Sequence, residues 1–452
     1  MISRRQILQL ACCGGGIAFS PLGRLGFRTL GAMNAYAQTT EDYRALVCVF
    51  LFGGNDGNNM IVPLDTASYD AYAQIRGSLA LASSSLLPVT AKTGARGFGF
   101  HAKLVNLQKL FTGGQAAVVA NVGTLLQPLT RTEYLAGNAA TPENLFSHSD
   151  QQLQWQTSYD AAGGTGWGGR AADKISYMNA PSTFPAFLSV AGNAAIGQGG
   201  DTTPATVIPG APLELTGFGS SAADNARKLA LQQLLTLDTG AALVQQASTT
   251  MQNGLSDSST LQKALSGASP LTTAFPKSAL GAQLQQIAQI IQVRNELGMK
   301  RQIFFCSLGG FDTHTAQLNT QDTLFAELDA ALAAFVSATQ ELGVENAITT
   351  FTESDFARTM QPNTNGGTDH AWGSHHMVIG GAVAGGDVYG SFPEFALGGP
   401  NDAGTAGRWI PTIALDQYGA TLASWFGVGS TDLSYVFPNL ASFPGANVGF
   451  MG

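Results

Sequence analysis

Gln302-Ile303-Phe304-Phe305-Cys306-Ser307-Leu308, running directly into Gly309-Gly310-Phe311-Asp312-Thr313-His314, is the stretch whose reading decides the fold. Ile303 to Cys306 are apolar without alternation, the pattern of a strand covered on both faces. The two glycines then end the strand, and an acid and a histidine follow at its carboxyl end. The two glycines and the acid recur after one other strand, and a third run leads to two acids and an arginine without glycine. Ala45–Phe52 leads into Gly53-Gly54-Asn55-Asp56-Gly57-Asn58-Asn59, and Ala347–Thr352 leads into Glu353-Ser354-Asp355-Phe356-Ala357-Arg358-Thr359. Ala116–Val122 and Ala186–Val190 read as further strands, while Leu104–Phe111, Lys277–Leu297 and Thr323–Leu342 carry apolar residues at helical spacing. Strands alternating with helices predict an α/β fold with a mainly parallel central sheet flanked by helices. Residues 204–276 are rich in Ala, Gln, Ser, Thr and Leu with helical periodicity and no strand, and are expected to form a helical insertion or cap.

In open α/β sheets ligands bind outside the carboxyl ends of the strands, which makes Asp56, Asp312 and Asp355 candidates. Around Asp56 the Asn, Asp and Gly residues serve a turn equally well. The chain has six histidines, His101, His148, His314, His370, His375 and His376, and all fall in or beside short polar or glycine-containing motifs. The densest is Gly366-Gly367-Thr368-Asp369-His370-Ala371-Trp372-Gly373-Ser374-His375-His376, able to supply two to four ligands. Imidazole and carboxylate together suit a divalent metal, zinc first, with calcium or manganese as alternatives.

Phe146-Ser147-His148-Ser149-Asp150 opens an expected helix, Gln151–Gln156. A serine there is an N-cap by default. It is also a candidate nucleophile, with His148 as neighbouring base or ligand. Gly53-Gly54-Asn55-Asp56 has the Gly-Asn-Asp block of lipase-like serine esterases, but their Gly-Asp-Ser and Asp-x-x-His strings are absent. Gly164-Thr165-Gly166-Trp167-Gly168-Gly169 follows no strand and has the wrong spacing for a dinucleotide loop, so it reads as a turn before a helix over Arg170–Ile175.

Ser3-Arg4-Arg5-Gln6-Ile7-Leu8, the glycine-interrupted apolar stretch after it and Ala35-Tyr36-Ala37 read together as a twin-arginine export signal over residues 1–37. The apolar run is too short to span a bilayer, so no stable membrane anchor is expected, and Cys12 and Cys13 fall inside the signal. Removing that segment, with four arginines and no acid, takes the formal charge from -8 to -12. So acidic a chain, residues 38–452, has no general attraction to nucleic acid. Only Cys48 and Cys306 remain, in apolar runs, which excludes a disulfide scaffold and leaves open whether the two pair or stay reduced.

Several motifs together resemble exported bacterial proteins of the family catalogued as domain of unknown function 1501, in the alkaline phosphatase and sulfatase superfamily. They are Phe52 through Asn59, Ser147 through Gln151, Thr165 through Arg170, Gly310 through His314, Ser354 through Thr359, Gly367 through Gly373, Ile410-Pro411-Thr412, and Asp416 through Leu422. The resemblance covers nearly the whole mature chain. It implies a central sheet with metal ligands at strand ends, and hydrolysis of phosphate or sulfate esters through a hydroxyl or modified-cysteine nucleophile. Carried over by position, Asp56 is the first-strand ligand and Asp312 with His314 the pair after a middle strand. Asp355, Asp369, His370 and His376 then complete one or two metal sites. The family usually has Thr-Glu-Phe-Gly-Arg-Thr where this chain has Ser354 through Thr359, so Asp355 rather than Glu353 matches its acid. No Cys-x-Pro-x-Arg string follows Asp56, which disfavours a formylglycine sulfatase.

The resulting expectation is an exported, periplasmic or secreted, metal-dependent hydrolase of phosphate or sulfate esters, acting on a small-molecule or polymer substrate. The metal polarises the ester oxygen and activates Ser147 or a water, and Arg358 steadies the developing charge. Its partners are that substrate and the twin-arginine export machinery. The alternative is a secreted metal-containing binding or surface-assembly protein without turnover.

Overall fold

The computed structural model describes residues 42–158, 164–213, 215, 217–237 and 240–452. The chain divides into two units, Met1–Tyr43 and Arg44–Gly452. The expected export signal, with Cys12 and Cys13, lies outside the described residues. Within the second unit the strands are β1 Arg44–Phe52, β2 Ile61–Pro63, β3 Leu87–Thr90, β4 Gly97–Phe100, β5 Ala116–Gly123, β6 Phe187–Ser189, β7 Ala205–Thr206, β8 Arg301–Gly309, β9 Ile348–Ser354, β10 Ser374–Ile379, β11 Val388–Tyr389 and β12 Ile413–Ala414. The helices are α1 Gly57–Met60, α2 Thr66–Arg76, α3 Val105–Thr112, α4 Arg131–Ala136, α5 His148–Thr157, α6 Trp167–Ile175, α7 Ala222–Leu235, α8 Ala242–Ser266, α9 Ala279–Gln292, α10 Gln317–Glu341, α11 Leu415–Phe426 and α12 Leu433–Val436.

Nine strands form one sheet in the order β11-β5-β10-β9-β1-β8-β6-β7, with β12 also on β5. All pairings are parallel except the two that β10 makes with β5 and β9. The sheet is therefore mainly parallel, as the unbroken apolar runs require. Every residue of β5 and β9, and Ala45–Leu51 of β1, is buried, and helices flank the sheet. β2, β4 and β3 make a separate antiparallel sheet. The segment 204–276 carries α7 and α8 and begins with the short β7, which pairs with β6. Among the described residues no helix is long and apolar enough to cross a membrane.

Among the described residues the cysteines Cys48 and Cys306 are free. In the β1–β8 register Cys48 lies opposite Phe305, and Val49 opposite Cys306. Alternation thus sends the two thiols to opposite faces, which rules out their pairing without disrupting both strands.

Four buried ionisable groups give the fold a defined pH profile. Burial pushes the Glu353 carboxyl up from 4.5 to about 8, and that of Asp416 up from 3.8 to about 7. Burial also pushes the His375 and His376 imidazoles down from 6.5 to about 3. The histidines take up protons on unfolding below pH 6.5, so their share of stability is lost as pH falls. The acids release protons on unfolding, so theirs is lost as pH rises through 4.5 to 8. Between pH 4.5 and 6.5 the two trends oppose each other; above 6.5 only the acids of these four still change their share. Between pH 6.5 and 8, Glu353 alone is expected to cost about 2 kcal/mol. Glu353→Gln should remove that loss, measured as the urea midpoint at both ends of the range. Equal slopes in the two proteins would discard the buried-acid explanation.

Candidate metal centre

The carboxyl edge of the sheet gathers the candidate residues. β8 leads to Asp312 and His314, and β9 to Asp355 and Arg358. Because β10 runs against its neighbours, its start lies at the same edge, and His370 arrives there just before it. His148 comes from the connection after β5, as the first residue of α5.

Two glycines let these loops close on one another. Gly53 has φ +111°, and a Cβ there would lie 2.4 Å from Asp312 N. A Cβ on Gly367 would lie 2.2 Å from the carbonyl carbon of His314. The contact is held by Thr368 N–H to Thr313 O at 3.1 Å and by Asn363 Nδ2 to His314 O at 3.0 Å.

Three imidazoles converge on one carboxylate oxygen. Asp312 Oδ1 lies 3.4 Å from His148 Nε2, 3.0 Å from His314 Nε2 and 3.4 Å from His370 Nε2. The His314 and His370 Nε2 atoms are themselves 3.0 Å apart. Ligand atoms of His148, Asp312 and His370 all lie within 4.8 Å of one another. The opposite nitrogen of each ring faces an acceptor: His148 Nδ1 meets Asp355 Oδ2 at 2.7 Å, His314 Nδ1 meets Asp369 Oδ1 at 3.0 Å, and His370 Nδ1 meets Phe146 O at 2.6 Å. Those acceptors place a proton on Nδ1 in each ring, so each Nε2, which faces Asp312, is the nitrogen left to bind a metal once it is unprotonated. His148 Nε2 is buried without a hydrogen-bond partner. Histidine and carboxylate donors gathered in this way could hold a metal ion.

The side chains around the cluster hold it in place. Asp355 is fully buried; its Oδ1 accepts from Gly53 N–H at 3.0 Å and its Oδ2 also takes Gln152 Nε2 at 2.7 Å. The hydrogen bond to Asp355 is the main cause that raises the His148 pKa, and burial is the main cause that lowers that of His370. At Asp312 burial acts upward, but Arg358 and the histidines outweigh it and hold the carboxyl below its usual range. Phe356 is buried beneath, its ring centroid 4.8 Å from that of His148 and 4.7 Å from that of His370.

Several expected ligands stand in other places. Asp56 is wholly buried: Arg76 Nη2 lies 2.5 and 2.7 Å from its two oxygens, Gln317 Nε2 donates at 2.6 Å, and its Oδ1 caps α1 through Asn58 N–H. It has no lone pair aimed at the cluster. His376 sits in β10 with its ring on Trp155, while His375 packs on Phe392, because strand alternation sends neighbouring side chains to opposite faces. Asp355 and Asp369 orient histidines rather than join them. Arg358 is fully buried, with Nη1 on Asp312 Oδ1 at 2.8 Å and on Gly53 O, Nη2 on Thr368 O, and Nε on Thr368 Oγ1. Four of its five N–H groups are bonded within the protein and the side chain is fully buried, so it positions Asp312 and does not reach outward to a substrate. Ser147 is the N-cap residue of α5, with its hydroxyl on Asp150.

The family comparison decides what kind of chain this is. The profile of a family described as "Protein of unknown function (DUF1501)" matches residues 43–403. The chain belongs to that family. No curated protein matches it. This DUF1501 protein is also similar to three solved structures. One is Ps i-CgsB in complex with k-i-k-neocarrahexaose, at 10% identity over 87% of this chain and 74% of that chain, with TM-score 0.36. Another is the lipoteichoic acid synthase LtaP from Listeria monocytogenes, at 6% identity over 78% and 67%, with TM-score 0.30. The third is the PsFucS1 sulfatase from Pseudoalteromonas sp., at 10% identity over 93% and 72%, with TM-score 0.33. At such distances the chemistry of the DUF1501 centre rests on its own residues.

Sequence reasoning missed the Phe146 carbonyl, Arg76 and Arg408. Only Arg408 carried a signal, being two residues before the Ile410-Pro411-Thr412 motif.

Proposed function

We propose that this DUF1501 protein is an exported, metal-dependent hydrolase of phosphate or sulfate esters. A single divalent ion, zinc first, is held by Nε2 of His148, His314 and His370 and by Asp312. The observation that carries this reading is the convergence of three Nε2 atoms on one carboxylate oxygen, each ring locked from behind by an acceptor. Histidine ligands held by carboxylates and carbonyls in this way are the usual surroundings of a metal. Three nitrogens and one oxygen suit zinc, and one cluster implies one ion.

Bound there, a divalent ion supplies Lewis acidity, polarising an ester oxygen and strengthening water as a nucleophile. The chain's own part is to fix geometry. Asp355, Asp369 and Phe146 O set the tautomers of the three rings, and Arg358 keeps Asp312 ionised and in place. With the Ser147 hydroxyl committed to Asp150, water is the attacking group. Residues 1–37 direct the folded protein out of the cytoplasm, to the periplasm or beyond.

Elemental analysis of the purified protein should find one metal ion per chain, and none in the double variant His148→Ala/His370→Ala. Hydrolysis of aryl phosphate, phosphodiester or sulfate esters should vanish with the metal. Metal without turnover on any of them would replace the hydrolase with a binding or surface-assembly protein; absence of metal would remove both readings.

A further inference from the structure

The metal centre is ringed by acid. Asp312, Asp355 and Asp369 bring three negative charges, which Arg358 and a divalent ion only neutralise. An anionic ester therefore gains no net attraction from these groups, and its recognition needs another cation.

Arg408 lies next to the centre with donors to spare. Its Nε donates to His370 O at 2.9 Å, and its guanidinium carbon stands 4.7 Å from the centroid of the Phe146 ring. Both contacts are to residues of the centre, since His370 supplies an Nε2 and Phe146 O holds the other nitrogen of that ring. One N–H and one face of the guanidinium are thus used. The two terminal amino groups have no hydrogen-bond partner among the described residues, and the side chain is only half-buried. The neighbouring arginines differ: Arg358 is spent on Asp312 and backbone carbonyls, and Arg131 donates to the carbonyls of Asp402 and Gly404.

The backbone under Arg408 is fixed by a buried acid. Asp402 accepts the N–H groups of Gly398, Gly404, Gly407 and Arg408 at 2.9 to 3.0 Å, and Ala403 N–H bonds to Arg408 O. The guanidinium therefore stands on a rigid base, anchored at Nε, with its terminal fork available. A planar fork of that kind matches two oxygens of a phosphate or sulfate group.

We propose that Arg408 is the specificity residue of this DUF1501 protein, binding the non-bridging oxygens of an anionic ester held at the metal centre. The inference rests on the hydrolase reading above and selects anionic over neutral substrates. Arg408→Gln tests it, with inorganic phosphate as the probe and three readouts: metal per chain, thermal midpoint, and phosphate affinity by calorimetry on the metal-loaded protein. Metal content and midpoint should stay at the wild-type values while phosphate binding weakens about tenfold to a hundredfold, and the KM for an aryl phosphate should rise with it. Unchanged phosphate affinity would overturn the assignment, as would loss of metal, which would make Arg408 a support for His370. Wild-type protein that binds metal but no phosphate would defeat this inference alone; wild-type protein without metal would defeat the hydrolase reading first.

Discussion

Asp56→Ala should lower the unfolding free energy by about 3 to 5 kcal/mol while leaving the metal centre able to fill. Asp56 and Arg76 are both fully buried, and Arg76 keeps only a 3.4 Å contact to Thr359 O once the carboxylate is gone. An uncompensated buried guanidinium is among the most costly defects a core can carry, and Gln317 and the first turn of α1 lose their acceptor as well. The measurement is the urea midpoint together with metal per folded chain. Should the alanine variant not fold, Asp56→Asn keeps the shape and removes only the charge, and it should lie between the two. A variant as stable as the parent but lacking metal would restore Asp56 as a ligand.

At Asp312 the opposite balance is expected. Its side chain is 46% exposed and the Asn amide oxygen can still accept from Arg358 Nη1, so Asp312→Asn should lower stability by less than Asp56→Ala does. It removes the only carboxylate on which three Nε2 atoms converge, and metal should be lost at stoichiometric loading. Ester hydrolysis should fall about a thousandfold or more, the scale of several kcal/mol of Lewis-acid stabilisation. Asp355→Asn supplies the contrast. The amide no longer holds His148 Nδ1 as an anion does, which should weaken metal binding about tenfold to a hundredfold, with activity recovered by added metal. Titration against a chelator separates the two. Identical losses in both variants would mean that Asp355 binds metal directly.

How much of this was legible in the sequence depended on the range of the interaction. Apolar runs mark buried strands, and the glycines or acids that end them mark their carboxyl ends, so Asp312, His314 and Asp355 could be brought to one edge without coordinates. The antiparallel β10 that adds His370 leaves no such mark, and its place came only from the density of histidine and acid before it. The role of each side chain was less readable. Asp56 has the same glycine-led setting as Asp312, and what separates them is Arg76 on α2, a partner that no local pattern announces. His375 and His376 look like a ligand pair when taken as loop; in a strand, alternation parts them. Arg358 is expected from the sequence to steady the developing charge, but the Gly53 and Thr368 carbonyls that occupy it are supplied by the fold. Arg408 drew no notice, since its loop is organised by Asp402 through backbone N–H groups alone.

The reversed direction of β10 has one more consequence. A parallel successor to β9 would have required a crossover to the far edge of the sheet; the chain instead turns back where it is, and residues 355–373 form a return loop between the end of β9 and the start of β10. That loop carries Asp355, Arg358, Asp369 and His370 as one contiguous cassette. Its exposed tip, Thr364 and Asn365, lies between Asn363, which bonds to His314 O and Asp369, and Gly366, whose carbonyl accepts from Gln317 N–H at the start of α10. A change of length at that tip would therefore act on the His314 side of the centre through Asn363 and leave the register of β9 with β10 intact.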